Sequence, residues 1–223
     1  MCGRFSFAGE DIEERFEVEL PKKLGVTPRY NIAPGQDSSV VVSAEGKRLL
    51  RSYRWGLIPS WAKEESIGYK MINARAETLA EKPAYRKAFE RRRCLVPADG
   101  FYEWLKEGRL KLPVRFVLKS RETFAFAGLW ETWKKPSGED LSSFTIITTH
   151  ANDMIRPVHE RMPVILLREN EDAWLDPDLN DTAKLQKFLA PYPPDQMEAF
   201  KVSTLVNSAK NDRPECIEPT AKL

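Results

Sequence analysis

Alternating apolar and polar positions fill the middle of the chain and predict β-strands. The stretch SSVVVSAEGKRLLRSYRW predicts two strands around a Glu45-Gly46 turn, and FYEWLKEGRLKLPVRFVL predicts two more around Glu107-Gly108. Three further runs, FAFAGLWETW, FTIITT and PVILL, are rich in aromatic and β-branched residues. Each of these runs predicts a short strand.

Helical spacing is less frequent. Apolar residues recur every three or four positions, after a polar or proline start, in DIEERFEVEL, PAYRKAFERRR, ENEDAWL and DTAKLQKFL. Strands and helices do not alternate regularly, which is typical of the α+β class. We therefore predict a single domain over residues 1–223, with a mainly antiparallel, barrel-like sheet flanked by short helices.

Composition narrows the classes of function. The chain has 35 basic and 33 acidic residues, so its net charge of +2 excludes a global attraction to nucleic acid. Any site for DNA or RNA must be a local basic patch. Three scattered cysteines and two histidines lack the spacing of a disulfide framework or a zinc site, so we expect no metal and no cofactor. The acidic first twenty residues and the short apolar runs predict a cytoplasmic protein that neither carries a secretory signal nor enters a membrane.

The first residues, MCGR, raise a specific chemical possibility. Initiator methionine is normally removed when the second residue is small, and Cys2 is small enough. Cys2 would then carry a free amine beside its thiol, with reference pKa values of about 7.7–8.0 and about 8.5, so both groups have reactive fractions near neutral pH. Such an aminothiol condenses with an aldehyde to give a thiazolidine. The alternative is that Cys2 is an accident of the start position.

Two stretches carry candidate groups on predicted strands. In MINARAET, the polar residues Asn73, Arg75 and Glu77 alternate with small apolar ones, so a strand projects them to one side. In PADGFYEW, Glu103 lies among aromatic residues, and burial there would raise the pKa of its carboxyl into the range of a proton shuttle. Ordinary solvent-facing strand positions explain both patterns as well.

His159 is the stronger histidine candidate, because it lies between two prolines in a loop before an apolar run, RPVHERMPVILL. A structural histidine remains the alternative for it, as for His150. Three arginines, Arg4, Arg75 and Arg161, lie next to candidate groups and have the side chain that grips phosphate bidentately.

The stretch RWGLIPSWA contains two tryptophans, Trp55 and Trp61. Exposed tryptophans stack on unpaired bases, and this is one interpretation of Trp55 and Trp61. Core packing of one or both is the alternative.

The ordered series of these stretches closely resembles the SRAP family, the SOS response associated peptidases. The resemblance rests on MCGR, NIAPG, RWGLIPSWA, INARAET, RRCLVPADGFYEW, FAGLWE, HERMPVIL and a late VST.VN segment, and it covers the chain from Cys2 to about Cys216. It implies a protein that processes abasic sites by crosslinking itself to single-stranded DNA. The aldehyde implied for Cys2 is the ring-opened deoxyribose that remains when a base is lost.

The resemblance also assigns roles. It implies that Cys2 is the nucleophile, that Glu103 moves protons in both directions of the reaction, that His159 assists ring opening and that Asn73 orients the sugar or the amine. Arg4, Arg75 and Arg161 resemble phosphate contacts. Asn31, Pro34 and Trp61 are expected to line the DNA channel, where an apolar wedge favours junctions of single and double strands.

Other functions stay open at this stage. One is a cysteine peptidase that uses Cys2 with His159 and acts on its own amino terminus. Another is a module that binds single-stranded DNA without covalent chemistry. We also expect a monomer, without a membrane partner, that meets the replication machinery and, in a bacterium, associates with the nucleoid.

Overall fold

The computed structural model describes residues 2–9, 11–19 and 27–222 of the chain. The strands in these ranges are β1 (Phe5–Phe7), β2 (Arg29–Ile32), β3 (Asp37–Ala44), β4 (Lys47–Trp55), β5 (Asn73–Arg75), β6 (Arg93–Ala98), β7 (Gly100–Glu107), β8 (Leu110–Leu118), β9 (Phe124–Lys134), β10 (Asp140–His150), β11 (Arg161–Pro163), β12 (Met197–Val202) and β13 (Pro219–Lys222).

Short helices connect the strands. The α-helices are α1 (Ile12–Phe16), α2 (Arg86–Arg91), α3 (Glu171–Leu175) and α4 (Thr182–Lys187). Single 3₁₀ turns lie at Glu65–Lys70, Ala76–Thr78, Arg168–Asn170, Pro194–Gln196, Thr204–Asn207 and Pro214–Cys216.

The strands form two sheets. The first has the order β13-β12-β8-β7-β1-β2. In the second, the order β10-β4-β3-β6-β9 closes on itself because β9 also pairs with β10, from Lys134 opposite Asp140 to Gly128 opposite Ile146. This closed circuit is a five-stranded barrel, and it confirms the prediction of an α+β fold with a barrel-like sheet. Most pairings are antiparallel, but β10 runs parallel to both β4 and β5.

Both predicted hairpins are confirmed. Ala44 pairs with Lys47 across a two-residue loop in which Glu45 and Gly46 have φ values of 53° and 72°. A type I′ turn requires positive φ at both central positions, so the Glu-Gly sequence fits it. In the second hairpin Glu107 pairs with Leu110, and Gly108 takes the positive φ of 61°.

The strand β1 joins the two sheets at the centre of the core. The Phe5 ring lies edge-on to Trp55 at 5.1 Å and to Phe126 at 5.8 Å, so it packs against the barrel. Asp99 marks the point at which the chain passes from β6 in the barrel to β7 in the first sheet. Its carboxylate accepts hydrogen bonds from Ser6 Oγ at 2.6 Å and from the buried Arg115 guanidinium at 2.7 Å. These bonds fix the start of the chain beside β7.

Three predicted elements differ from the structure in extent. The helix in DIEERFEVEL covers only Ile12–Phe16, because Glu17 adopts a left-handed conformation that ends it, and Leu20 lies outside the described residues. The strand in MINARAET is the three-residue β5, although Ala74 and Ala76 are buried as the alternation predicts. The third difference concerns PVILL.

The prediction of a regular strand over PVILL is wrong beyond Pro163. Val164 donates from its N–H to Ile147 O and accepts from Ala127 N–H, so its backbone bonds to β10 on one side and β9 on the other. In a regular antiparallel strand the N–H and C=O of one residue bond to the same neighbouring strand, so this division ends the β11 ladder at Pro163.

Within the described residues, the structure contains no helix long and apolar enough to cross a membrane.

Candidate active site

Cys2 lies just before β1 and is fully buried. Asn73 at the start of β5 donates from Nδ2 to the Cys2 carbonyl oxygen at 2.8 Å, and Cys2 Sγ lies 3.7 Å from Arg4 O. Burial raises the pKa of the Cys2 thiol well above its usual range, and the negative charge of Glu103 acts in the same direction. The resting group is therefore a thiol, held by its main chain.

Asn73 has a second polar atom at this site. Its Oδ1 is buried and accepts no hydrogen bond from the described residues. A buried carbonyl oxygen without a protein donor is unfavourable unless a ligand supplies one. Asn73 is thus placed to hold Cys2 with its nitrogen and to accept from a substrate hydroxyl or amine with its oxygen.

Glu103 is buried in β7, where it faces Val114 across the strand pair. Burial raises the pKa of its carboxyl, while the nearby His159 acts in the opposite direction. A carboxyl with a raised pKa exchanges its proton closer to neutral pH than an ordinary one. The sequence-based expectation of a tuned carboxyl at Glu103 agrees with this environment.

His159 ends the turn that follows β10. Its backbone N–H donates to Ile155 O at 2.9 Å, and its Nδ1 accepts from the Arg161 N–H at 3.0 Å. In the neutral ring the proton is therefore on Nε2, since Nδ1 is an acceptor. His159 and Glu103 both line a cleft of about 460 Å³.

The half-buried Arg4 and the buried Asn31 form a hydrogen-bonded hub. Arg4 Nη1 donates to Asn31 Oδ1 at 2.7 Å and to Val206 O at 2.6 Å. Asn31 is fully buried, and its Nδ2 donates to the carbonyl oxygens of Val206, Ser208 and Asn211. In this structure the Asn31 side chain contacts protein groups and fixes the 203–212 segment. DNA contacts by Arg4 and Asn31 stay predictions.

Replacing Asn31 with alanine is expected to lower the free energy of unfolding by about 1–3 kcal/mol, because three carbonyl oxygens of the 203–212 segment lose a hydrogen bond from a buried side chain. Chemical denaturation measures this change. Asn180→Ala, at an exposed position, is the matched control and should be close to neutral. An equal effect of the two substitutions would contradict the structural role of the hub.

The other two predicted phosphate contacts lie in opposite environments. Arg75 is exposed at the end of β5. The Arg161 side chain is only 7% exposed and forms a bidentate ion pair with Glu77, with distances of 2.7 and 2.9 Å. His150 Nε2 lies 3.3 Å from the same carboxylate. Arg75 is therefore open to a ligand, whereas Arg161 ties β11 to the turn after β5.

The two tryptophans of RWGLIPSWA lie in different environments. Trp55 is buried and donates from Nε1 to Ile72 O at 2.8 Å, so it belongs to the core. Trp61 is 61% exposed and lines an open cavity of about 440 Å³ together with Lys63 and Lys70. Pro34 lies half-buried in the turn before β3.

Several residues at the cleft were not found from the sequence. Trp104, Lys106, Lys111 and Asn207 line it beside Glu103 and His159. The hairpin register was the available signal for the two lysines, since a turn at Gly108 places Lys106 opposite Lys111. Asn207 ends the VST.VN segment of the family resemblance, but no role was assigned to it, and it reaches the cleft from a distant part of the sequence.

Metal chemistry was not expected here. In the described part of the chain, no three His, Cys, Asp or Glu side chains lie close enough together to hold a metal ion.

Comparisons with known proteins agree on one family. The SOS response associated peptidase (SRAP) family matches residues 1–209. The abasic site processing protein YoqW of Bacillus subtilis is 51% identical over 98% of this chain and 99% of its own length. The abasic site processing protein HMCES of Xenopus tropicalis is 33% identical over 85% of this chain and 65% of its own. A crystal structure of a Bacteroides thetaiotaomicron protein superposes with a TM-score of 0.88 at 27% identity, covering 98% of this chain and 100% of the other.

Proposed function

The chain belongs to the SRAP family, and on that premise we propose that it processes abasic sites by joining Cys2 covalently to the ring-opened sugar in single-stranded DNA. One observation carries the proposal. Cys2 is held by Asn73, lies within the electrostatic reach of Glu103, and Glu103 shares an open cleft with His159. A tuned carboxyl and an imidazole therefore share one opening, and the aminothiol is buried within the electrostatic influence of that carboxyl.

The reaction begins with the sugar. Ring opening removes a proton from the C1′ hydroxyl and delivers one to O4′, which frees the aldehyde. His159 lines the cleft, and its Nε2–H is the donor that we assign to O4′, because Nδ1 already accepts from the Arg161 N–H. Asn73 Oδ1 accepts from the amine or the sugar hydroxyl and so orients one against the other.

The covalent steps follow from the two groups of Cys2. After removal of Met1, which lies outside the described residues, the α-amine adds to the aldehyde and the adduct loses water to give an imine. Loss of water leaves the imine nitrogen protonated; the sulfur then adds to the imine carbon, the thiol proton passes to Glu103, and the ring nitrogen keeps its own proton. Glu103 protonates the departing hydroxyl and takes the proton back from the thiol, since its raised pKa suits both directions. The net reaction forms a thiazolidine and one water.

The DNA strand requires contacts on either side of the lesion. We assign the phosphates to Arg75, which is exposed, and to Arg4 and Arg161, which must exchange present partners to reach them. Trp61 is exposed and stacks on an unpaired base, with Pro34 and Asn31 along the same channel. Junction preference, a monomeric state and contact with the replication machinery or the nucleoid remain expectations.

The environment of Cys2 bears on the peptidase alternative. A cysteine peptidase attacks as a thiolate, which a lowered thiol pKa provides. Here burial raises the pKa of Cys2, so the amine is the better first nucleophile. Any peptidase activity is then limited to release of the chain's own first residue.

The purified wild-type chain provides the direct test. Its intact mass should show that Met1 is absent. With a single-stranded oligonucleotide containing one abasic site, a denaturing gel should show a shifted band that survives boiling in detergent. The mass of that band should equal protein plus DNA minus one water. The same strand with all bases present is the control. A chain that begins at Cys2 yet binds abasic DNA only reversibly would contradict the proposal and favour the binding module.

A further inference from the structure

Two lysines lie directly opposite each other in the hairpin formed by β7 and β8. Lys106 and Lys111 are paired in register, and both are exposed. Residues directly opposite in an antiparallel pair share one face, with Cβ atoms about 4.5–5.5 Å apart. Both lysines line the cleft that contains Glu103 and His159.

This arrangement costs folding free energy, because like charges directly opposite each other destabilise a strand pair. At the adjacent position the charge is compensated in the usual way, since Glu107 forms an ion pair with Lys201 at 3.0 Å. Neither Lys106 nor Lys111 forms an ion pair with any residue in the described ranges. Nothing in the packing of the hairpin therefore accounts for two positive charges at these positions.

We propose that Lys106 and Lys111 bind phosphate groups of the DNA strand where it leaves the catalytic cleft. The site rests on the proposed function and adds a contact to it. Lys106 lies three residues beyond Glu103 on β7, about 10 Å at the rise of a strand; this odd spacing starts the two side chains on opposite faces of β7, yet both residues line the cleft. Phosphates flanking the sugar held at Glu103 fall within the reach of two flexible lysine side chains. An anionic ligand also removes the repulsion between the two ammonium groups.

The double variant Lys106→Gln/Lys111→Gln tests the inference in equilibrium binding to an intact single strand at several salt concentrations. Each phosphate contact contributes about −0.7 to the slope of log K against log salt, so the slope should become shallower by about 1.4. With affinity at 1 M unchanged, binding at 0.1 M salt should weaken by about 25-fold. The matched control, Lys119→Gln/Lys134→Gln, removes the same charge from exposed positions outside the cleft and should leave the slope unchanged.

Thermal melting gives a second readout, because the melting temperature should hold or rise while DNA binding weakens. Removing the repulsion should keep or raise the melting temperature, so weaker binding cannot be ascribed to misfolding. Lys111→Glu, which creates a cross-strand ion pair with Lys106, should raise the melting temperature and weaken binding together. A lower melting temperature, or a slope equal to that of the wild type, would overturn the inference.

The wild-type crosslinking result separates this inference from the proposed function. If the wild type crosslinks abasic DNA and the double variant keeps the wild-type slope, only the lysine site is wrong. If the wild type binds DNA with a slope that the lysines change but forms no crosslink, only the covalent chemistry is wrong.

Discussion

Cys2→Ala is expected to abolish the boil-stable crosslink while leaving a reactive amine. Alanine is also small, so methionine removal proceeds and the α-amine still forms an imine with the aldehyde. Without sulfur, nothing traps the imine, which then hydrolyses or permits β-elimination. The variant should therefore be trapped on abasic DNA by borohydride and should nick the strand. Gel electrophoresis with and without borohydride measures both effects.

The reciprocal control places one glycine ahead of Cys2. The thiol is kept, but the nitrogen of Cys2 is now an amide and the amine has moved one residue away. This chain should neither crosslink nor be trapped by borohydride. Crosslinking at the native rate would show that the thiol alone is the nucleophile, and the thiazolidine mechanism would be wrong.

Glu103→Gln is expected to slow crosslinking by about 10²–10⁴-fold, the usual contribution of a general acid or base. Glutamine keeps the size and hydrogen bonding of the side chain but has no exchangeable carboxyl proton. Formation and release share the same barrier, so release from a preformed crosslink should slow by a similar factor. Single-turnover formation and displacement of labelled DNA measure the two rates. An effect on formation alone would place Glu103 in DNA binding.

The same substitution should stabilise the fold at high pH. Burial raises the pKa of Glu103, so the folded chain prefers the protonated carboxyl. The native chain therefore loses stability as pH rises from the ordinary carboxyl pKa through the raised one, because a charge must then remain buried. Glutamine carries no such charge, and the variant should be more stable than the native chain above that range. Glu107→Gln, at an exposed position of the same strand, is the control for both experiments. It should not slow crosslink formation or release by about 10²–10⁴-fold, and it should not give this gain in stability at high pH.

The hairpins were predictable because their information is local. Glu45-Gly46 and Gly108 supply the positive φ values that two tight turns need, and the strand register follows from the turn. A barrel-like sheet was predicted, but one of the pairings that closes it was not, since β10 runs parallel to β4, which lies far away in sequence. Parallel pairing leaves no turn sequence to mark it. The strand predicted after Pro163 was wrong for a related reason: its backbone partners belong to two different strands, and the local sequence does not record them.

The candidate site, like the fold, was predictable only in part. The family resemblance assigned Cys2, Asn73, Glu103 and His159, and the structure brings Asn73 to Cys2 and Glu103 to His159. The polar partners of the arginines did not follow from any pattern. Arg4 meets Val206, and Arg161 meets Glu77, across separations of 202 and 84 residues. Such contacts depend on tertiary packing, which local spacing does not record.

The position of β1 also bears on when the amino terminus can be processed. β1 lies between β2 and β7, so Cys2 becomes buried only after β7 has been synthesised. About 100 residues separate Cys2 from Glu103, and at about 5–20 residues per second their synthesis takes about 5–20 s. Removal of methionine from the nascent chain has this interval in which to occur. A chain that folds first keeps Cys2 as a buried amide next to β1, and a processing enzyme reaches it again only when β1 detaches.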